Sequence, residues 1–241
     1  MHRFWQWWAG TWFYPEQLEK SSIRRAVATA ATGVHGTLLD VGCGAKPYRN
    51  LFSVNNYLGL EYLPSSPQYR LNTPPDIWAD CQCLPIRSGS IDAILCTQVL
   101  EHLSNPIAFF LEAFRVLRPG GKLILTTNQE WGIHKAPYDY YRFTRFGLEH
   151  LAQEASFHII SLDARGGFWV MMGQRLAAYL FNRWVGRFRK DHKVIFILSF
   201  TFFSPIIAFV QLAAKVLDRI DRIEENTTGY ALVARKPLES W

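Results

Sequence analysis

The segment 37–44, Thr-Leu-Leu-Asp-Val-Gly-Cys-Gly, combines an acid with two glycines and is the clearest candidate for a ligand-binding segment in this chain. Its apolar residues form the short run that is typical of a buried parallel strand. The strand contains Asp40. Gly42 and Gly44 follow it, so the chain can turn tightly and bring backbone N–H groups close to a ligand. The pattern GxGxxG is not completed, because Pro47 occupies the position of its third glycine. Alone, the segment predicts either a cofactor-binding turn or an ordinary connection from a strand to a helix.

A second acid stands at a distance that suits a nucleotide-like ligand. Glu61 ends the strand-like segment 57–61, about 20 residues after the first glycine, where α/β nucleotide-binding folds place a carboxylate on ribose hydroxyls. The alternative is a solvated glutamate at the end of a strand.

The remaining elements must position these acids, and they alternate between strands and helices. Short apolar segments predict strands at 77–80 and 91–96. Asparagine and proline at 105 and 106 predict the start of an amphipathic helix that continues to residue 117. The residues Arg-Pro-Gly-Gly at 118–121 end this helix, and residues 122–127 return as a fifth strand. This alternation predicts an α/β fold with a doubly wound, Rossmann-like, mostly parallel sheet.

Five motifs, in order between residues 37 and 127, resemble those of the class I S-adenosylmethionine-dependent methyltransferases. They are Leu-Asp-Val-Gly-Cys-Gly at 39–44, Glu61, Ala-Asp at 79–80 with Leu-Pro at 84–85, Gln-Val-Leu-Glu-His at 98–102, and Arg-Val-Leu-Arg-Pro-Gly-Gly at 115–121. A looser likeness through His134, 137–144 and 147–148 is similar to a methyltransferase type 11-like bacterial subgroup, often associated with cell-surface glycan or lipid modification. The resemblance implies a seven-stranded sheet with an antiparallel last strand.

The resemblance also implies S-adenosylmethionine as cofactor and a role for each matching residue. Its methionine part would be held by the strand acid, the glycine turn and a glutamine, namely Asp40, Gly42, Cys43, Gly44 and Gln98. Glu61 would hold the ribose hydroxyls, and Asp80 with the Cys81 N–H would hold the adenine edge. Lys46 departs from the family pattern, and its charge near a cationic sulfonium predicts that its side chain points to water.

Two histidines are the candidates for the chemistry on the acceptor. Methyl transfer mainly requires alignment of the acceptor with the methyl group and exclusion of water. An oxygen acceptor also needs a general base, for which histidine is the usual choice. His102 follows the fourth strand and His134 follows the fifth, although His102 could instead organise the loops. The loop around His134 is aromatic and predicts an acceptor pocket wall formed by Trp131, Tyr138, Tyr140 and Tyr141.

Neither a bound metal nor a zinc site is expected. Glu101 and His102 resemble part of a magnesium-binding cluster of some O-methyltransferases, but Gln98 stands where its upstream acid would be. Cys81 and Cys83 lack the spacing and the partner pair of a zinc site. Free thiols fit a reducing cytoplasm, and the N-terminus lacks the features of a signal peptide.

A long segment before the last strand predicts an inserted subdomain. Residues 157–164 and 229–235 form the sixth and seventh strands, and the connection of about 60 residues between them far exceeds an ordinary loop. The predicted organisation is therefore an aromatic-rich helical segment at 1–36, a cofactor-binding domain at 37–166 with 229–241, and a hydrophobic basic helical insertion at 167–228.

The insertion combines basic and aromatic residues with an apolar run. Residues 168–193 interleave arginines with large aromatic side chains, and residues 194–214 contain no charge. A single crossing would leave the last strand on the wrong side of a bilayer, and Pro205 predicts two shorter helices. These features predict a helical hairpin in one leaflet or at the interface, with Trp5, Trp7, Trp8, Trp12 and Phe13 as further anchors. The alternatives are a soluble helical cap and a homodimer interface.

Several functions remain compatible with these features. The first is a membrane-associated methyltransferase for an amphipathic acceptor, such as a lipid-linked sugar or a quinone-like ring, that is cytoplasmic and peripheral on the inner face of the cell membrane. The second is a soluble methyltransferase for a small molecule or RNA. The third is a cofactor-binding scaffold without turnover, whereas a dehydrogenase is disfavoured by the missing glycine. The net charge of +6 also suits nucleic acid, but the basic residues lie among apolar ones, so this partner is not expected.

Overall fold

The computed structural model describes residues 11–62, 74–188 and 192–238. These residues divide into two compact units. The helical unit comprises residues 11–22 and 164–228, and the sheet unit comprises residues 23–163 and 229–238. The domain boundaries predicted from the sequence fall after residues 36, 166 and 228, whereas the compact units change after residues 22, 163 and 228.

The described strands form one seven-stranded sheet with the order β3-β2-β1-β4-β5-β7-β6. Their bounds are Thr37–Val41 (β1), Asn56–Glu61 (β2), Ile77–Trp78 (β3), Ile91–Thr97 (β4), Leu117–Asn128 (β5), His158–Ala164 (β6) and Gly229–Arg235 (β7). The strands from β3 to β5 pair in parallel, and β7 runs antiparallel to β5. The predicted fold class is confirmed.

The described residues form five α-helices. They are Gln17–Ala30 (α1), Pro106–Val116 (α2), Arg145–Glu154 (α3), Phe168–Leu180 (α4) and Lys193–Ile220 (α5). Asn105 caps α2 as predicted, because its side-chain oxygen accepts a hydrogen bond from the Ala108 N–H at 3.4 Å. After α4, the chain continues through a π-helical turn at Phe181–Val185 and a 3-10 turn at Gly186–Phe188.

The central strands of the sheet are buried on both faces, and their parallel pairing determines where their ends lie. Leu38 and Leu39 in β1 and Ile94 and Leu95 in β4 are fully buried. Parallel pairing of β1 with β2 and β4 brings the carboxyl ends of these strands to one edge of the sheet. Ligands of open α/β sheets bind at this edge, so the turns that follow the strands are the candidate site.

The structure corrects two sequence-based predictions of secondary structure. The residues at 118–121 were expected to separate α2 from β5, but β5 already begins at Leu117, which pairs with Ile91. The Gly120 N–H donates to the Lys236 carbonyl at 2.9 Å, and this bond holds the segment in an extended conformation.

The second correction concerns Pro205. Instead of two shorter helices, α5 is continuous through this proline. An interior proline costs about 3 kcal/mol because it removes a helical hydrogen bond. Its ring lies on the exposed side of α5, while the neighbouring Ser204, Ile207 and Ala208 are buried. Burial of this opposite face offsets the cost and keeps the helix continuous.

Candidate active site

The turn after β1 has the shape that a ligand-binding turn requires. Gly42 and Gly44 adopt positive φ angles of 66° and 48°. A side chain at Gly42 would collide with Val99, whereas a β-carbon at Gly44 would meet no atom within 4 Å. Gly42 therefore permits close packing against the residues after β4, and Gly44 borders open space.

Two buried or half-buried acids support this turn. Glu61 accepts a hydrogen bond from the Gly44 N–H at 3.0 Å, so the end of β2 is tied directly to the glycine turn. Asp40 is only 1% exposed and accepts a hydrogen bond from the Tyr57 hydroxyl at 2.7 Å. Burial, reinforced by the nearby Glu61 carboxylate, raises the pKa of Asp40 to about 7, although Tyr57 opposes this rise. The role of Tyr57 was not predicted, because its only signal in the sequence is a hydroxyl within a buried strand.

The position of Lys46 corrects the expectation that its side chain points to water. Its ammonium group lies 2.6 Å from the Asp76 carboxylate, and its side chain is only 21% exposed. Asp76 also accepts a hydrogen bond from the Gly59 N–H at 2.6 Å. The positive charge near the glycine turn is thus paired with an acid.

The other predicted cofactor residues lie in turns that hydrogen bonds fix. Asp80 accepts from the Gln82 N–H at 2.8 Å, and this bond shapes the loop that contains the buried Cys81. Gln98 has a positive φ of 56°, its N–H donates to the Thr126 carbonyl, and its amide donates to the Thr126 hydroxyl at 3.1 Å. A non-glycine residue in this conformation at a strand end is typical of functional turns. Their assigned cofactor contacts stay predictions.

Burial keeps the neighbouring thiols in the neutral form. It raises the pKa of both Cys43 and Cys81 to about 12. Neither thiol is therefore a nucleophile at neutral pH, and each acts at this edge as a small apolar group.

His102 is held in one tautomer. Its Nδ1 lies 2.6 Å from the Tyr138 carbonyl oxygen, which can only accept, so Nδ1 carries the proton and donates. The Nε2 atom is buried and has no hydrogen-bond partner. Burial, more than the nearby Lys135 and His134, lowers the pKa of His102 to about 4. The ring is therefore neutral at physiological pH, with a free electron pair on Nε2.

The structure brings the two predicted histidines together. The rings of His102 and His134 meet edge to face, with their centroids 4.7 Å apart. The His134 N–H donates to Asp139 at 2.9 Å, and Asp139 is bound by both terminal nitrogens of Arg142, at 2.8 and 2.9 Å. Hydrogen bonds from Arg142 hold the pKa of Asp139 well below its usual range. This ion pair was not predicted, although the spacing of three residues between Asp139 and Arg142 is visible in the sequence.

The aromatic loop is anchored through its backbone. The Tyr140 N–H donates to the Glu101 carbonyl at 2.9 Å, and Arg142 donates to the Trp131 carbonyl at 3.1 Å. The side chains of Tyr138, Tyr140 and Tyr141 are 48, 47 and 40% exposed. They lie near the His102 turn on the protein surface, and their contact with an acceptor stays a prediction.

One group within the described parts of the chain could contact a cation. Glu101, His102 and His134 each offer a ligand atom, and these atoms lie within 4.8 Å of one another. The Glu101 carboxylate is fully buried and accepts hydrogen bonds from the Thr127 hydroxyl at 2.9 Å and the Asn128 amide at 3.0 Å. The sequence could not show that His134 joins this group, and metal independence stays a prediction.

The order of the strands and the acids at their carboxyl ends define a Rossmann-like cofactor-binding domain. Residues 39–125 match the family described as Methyltransferase domain. Residues 39–125 are therefore a methyltransferase domain, and for this part of the chain the predicted resemblance to class I S-adenosylmethionine-dependent methyltransferases, with S-adenosylmethionine as cofactor, is confirmed.

Two curated relatives and one solved structure are among the similar proteins. Malonyl-[acyl-carrier protein] O-methyltransferase of Hahella chejuensis is 31% identical, and the match covers 46% of this chain and 43% of that protein. Ubiquinone biosynthesis O-methyltransferase of Xanthomonas oryzae pv. oryzae is 33% identical, with 47% and 49% covered. This chain thus matches less than half the length of each relative.

The solved structure supports the fold alone. Phosphoethanolamine N-methyltransferase 2 of Haemonchus contortus, in complex with phosphomonomethylethanolamine and S-adenosylhomocysteine, has a TM-score of 0.56 and 16% identity. The match covers 97% of this chain and 56% of that one.

Proposed function

We propose that this protein methylates an oxygen atom of an amphipathic acceptor at a membrane surface, with His102 as general base. One observation carries the proposal, namely the buried, unpartnered Nε2 of a neutral histidine whose tautomer is fixed by the Tyr138 carbonyl. An imidazole in this state can accept a proton from a hydroxyl group. It lies after β4, at the edge of the sheet where the cofactor turn also lies.

The residues at this edge suit S-adenosylmethionine, which supplies an activated methyl group when bound. The open space beside Gly44 leaves room for the backbone to approach a ligand, and the Glu61 carboxylate at the end of β2 can accept hydrogen bonds from hydroxyls. In its ionised form, Asp40 adds a negative charge that favours the cationic methionine part. The chain itself must orient the acceptor, exclude water and accept the hydroxyl proton at His102 Nε2.

Asp139 and Arg142 position this base indirectly. Their ion pair holds the loop that supplies the Tyr138 carbonyl and His134, and Asp139 is only 3% exposed. Both residues therefore determine how His102 is oriented without contacting its Nε2.

The membrane part of the proposal is supported by the helical unit. By length and composition alone, helix α5 is long and apolar enough to cross a membrane. Only 22% of its most apolar stretch of 18 residues is buried. A core helix of a soluble protein would be mostly buried. These features support the proposal of a peripheral position on the inner face of the cell membrane, and the free cysteines suit the reducing cytoplasm on that side.

The test is a methylation assay with isotope-labelled S-adenosylmethionine and total membrane lipid as the acceptor mixture. We expect a product in which one methyl group replaces one hydroxyl hydrogen. We expect His102→Ala to lower the rate by about 100- to 10,000-fold, as removal of a general base does. His150→Ala is the matched control, because the side chain of this histidine is 76% exposed on α3.

Three results would contradict the proposal in different ways. An unchanged rate in His102→Ala would exclude the assigned base. Methylation of water-soluble hydroxyl compounds or RNA but of no lipid would favour a soluble enzyme. Tight binding of S-adenosylhomocysteine with no methyl transfer to any acceptor would favour a scaffold.

A further inference from the structure

The helical unit has polar side chains on its buried side. Ser204, Gln211 and Asp218 lie seven residues apart along α5, so they share one face, and all three are buried. The Gln211 amide donates to the carbonyls of Trp12 and Tyr14, both at 3.0 Å. These contacts satisfy polar groups inside the unit.

Near the C-terminal end of α5, a residue of the same buried face binds the N-terminus of the neighbouring helix α4. The Asp218 carboxylate accepts from the Gly167 N–H at 2.9 Å and the Val170 N–H at 3.3 Å, and thereby caps the N-terminus of α4. Trp184 stacks on Phe203 with centroids 6.0 Å apart. Between Phe203 and Asp218, the buried face of α5 is therefore occupied by residues of the helical unit itself.

The opposite face of α5 is apolar and exposed. Its large side chains, three, four or seven residues apart, form what we call the apolar stripe: Val194, Leu198, Phe202, Phe209, Leu212, Val216 and Ile220. Their exposed fractions range from 43% at Leu212 to 79% at Ile220. This distribution is the reverse of that on a surface helix of a soluble protein, where the exposed face is polar. Polar groups inside and apolar groups outside are typical of proteins in contact with lipid.

Basic residues accompany the stripe at one end of the helical unit. Arg183, Arg187 and Lys193 are exposed, and the Arg183 guanidinium lies 5.4 Å from the centre of the Trp184 ring. Exposed arginines beside a half-exposed tryptophan suit the headgroup region of an anionic membrane.

We propose that α5 lies in the plane of the membrane, with the apolar stripe in one leaflet of an anionic bilayer and its buried face towards the protein. This inference rests on the membrane association proposed above and specifies its geometry. A helix of 28 residues is about 42 Å long, which exceeds the hydrocarbon core of about 30 Å. The stripe covers one face over this whole length, as an interfacial helix requires.

Chain connectivity favours the same geometry. The helical unit follows β6 and precedes β7, and both strands belong to one sheet. A single crossing by α5 would place these strands on opposite sides of the membrane. An in-plane helix keeps them on the same side.

Depth measurements on spin-labelled protein test this geometry. In a Cys83→Ser background, which removes the exposed cysteine, single cysteines replace Leu198, Phe209 or Ile220. The full chain is bound to vesicles of phosphatidylglycerol and phosphatidylcholine, and label depth is measured by electron paramagnetic resonance. We expect similar shallow depths at all three positions, and a label at the exposed Leu111 of α2 as the reference in water. A depth that reaches the bilayer centre at Phe209 and decreases towards both other positions would overturn the in-plane geometry.

Flotation with the same vesicles provides a second measurement. Arg183→Glu and Arg187→Glu should each weaken binding by at least about fivefold, because one basic residue near an anionic surface contributes about 1 kcal/mol. Leu198→Ser with Phe209→Ser should also weaken flotation, whereas Leu111→Ser should not. Affinity for S-adenosylhomocysteine should be unchanged in all variants, which shows that they are folded.

The outcomes separate this inference from the proposed activity. Wild-type protein that does not float, and sediments as a dimer that Phe209→Ser dissociates, would assign the stripe to a second copy of the chain. Methyl transfer to a detergent-dispersed acceptor would still be observed in that case. Loss of methyl transfer from protein that floats would instead contradict the proposed function.

Discussion

Replacement of Asp40 by asparagine should stabilise the cofactor-free protein, and the gain should increase with pH. Asp40 is 1% exposed, and burial raises its pKa from the ordinary value of 3.8 to about 7. Asparagine has nearly the same shape, and its side-chain oxygen can still accept the hydrogen bond from Tyr57. The substitution therefore removes a buried charge while it keeps the described contact.

The magnitude follows from the difference between the folded and unfolded pKa. A rise of about three pKa units corresponds to about 4 kcal/mol, at about 1.4 kcal/mol per unit. Because the folded pKa is the higher one, the folded state binds more protons between about pH 4 and pH 7. Below about pH 4, Asp40 is neutral in both states and does not lower the free energy of unfolding. As the pH rises from about 4 to about 7, burial of its charge lowers the free energy of unfolding progressively. Asparagine does not titrate, so its advantage should be about 2 kcal/mol near pH 5 and about 4 kcal/mol near pH 8.

Urea denaturation of the two proteins near pH 5 and near pH 8, without cofactor, measures this difference. Asp163→Asn, at an exposed position of β6, is the matched control and should show no comparable gain. An advantage of Asp40→Asn that is equal at both pH values, or a loss of stability near pH 8, would refute the assigned charge state of Asp40.

The remaining predictions concern ligands and catalysis. Gly44→Val and Glu61→Ala should each lower the affinity for S-adenosylhomocysteine, measured by calorimetry. The loss of the hydrogen bonds of Glu61 should lower it by about ten- to a hundredfold. Unchanged affinity in both variants would contradict the cofactor assignment. Activity should survive EDTA, and a complete loss that magnesium restores would assign a metal to the group around His102. Asp139→Asn should lower kcat by about 10-fold or more with nearly unchanged cofactor affinity, since misplacement of a catalytic group lowers the rate, whereas Asp139→Glu should restore part of the activity. The acidic limb of the rate profile should lie near pH 4 rather than 6.5, because burial lowers the pKa of His102, and a limb near 6.5 would show that His102 is solvated in the working enzyme.

The candidate cofactor residues could be named from the sequence because they are local in the chain, and their cofactor contacts stay predictions. The strand, the glycine turn and Glu61 follow one another along one βα connection and the next strand, and the periodicity of apolar residues identifies the strands between them. The structure joins Glu61 to Gly44 by a direct hydrogen bond, which explains why that spacing is informative.

The acceptor half could be predicted only as a set of candidates. His102 and His134 are 32 positions apart, and their contact depends on how a loop without regular structure folds back on the turn after β4. The Asp139 and Arg142 pair determines that path, yet a spacing of three residues is common on exposed surfaces. The prediction of two helices at Pro205 was wrong for a related reason. The local tendency of proline to break a helix is outweighed by packing of the buried face, which the sequence does not show.

The two halves of the site are held in place by different interactions, and this difference affects acceptor specificity. The cofactor residues follow strands whose register is fixed by a buried core, whereas His134 and the exposed tyrosines belong to a loop that is held by backbone hydrogen bonds and one ion pair. Side chains on such a loop can change without disturbing the backbone bonds that orient His102, because Tyr138 holds the histidine through its carbonyl oxygen and not through its ring. In the proposed mechanism, the exposed rings of the loop would therefore select the hydroxyl acceptor, while His102 and the glycine turn would keep the same geometry.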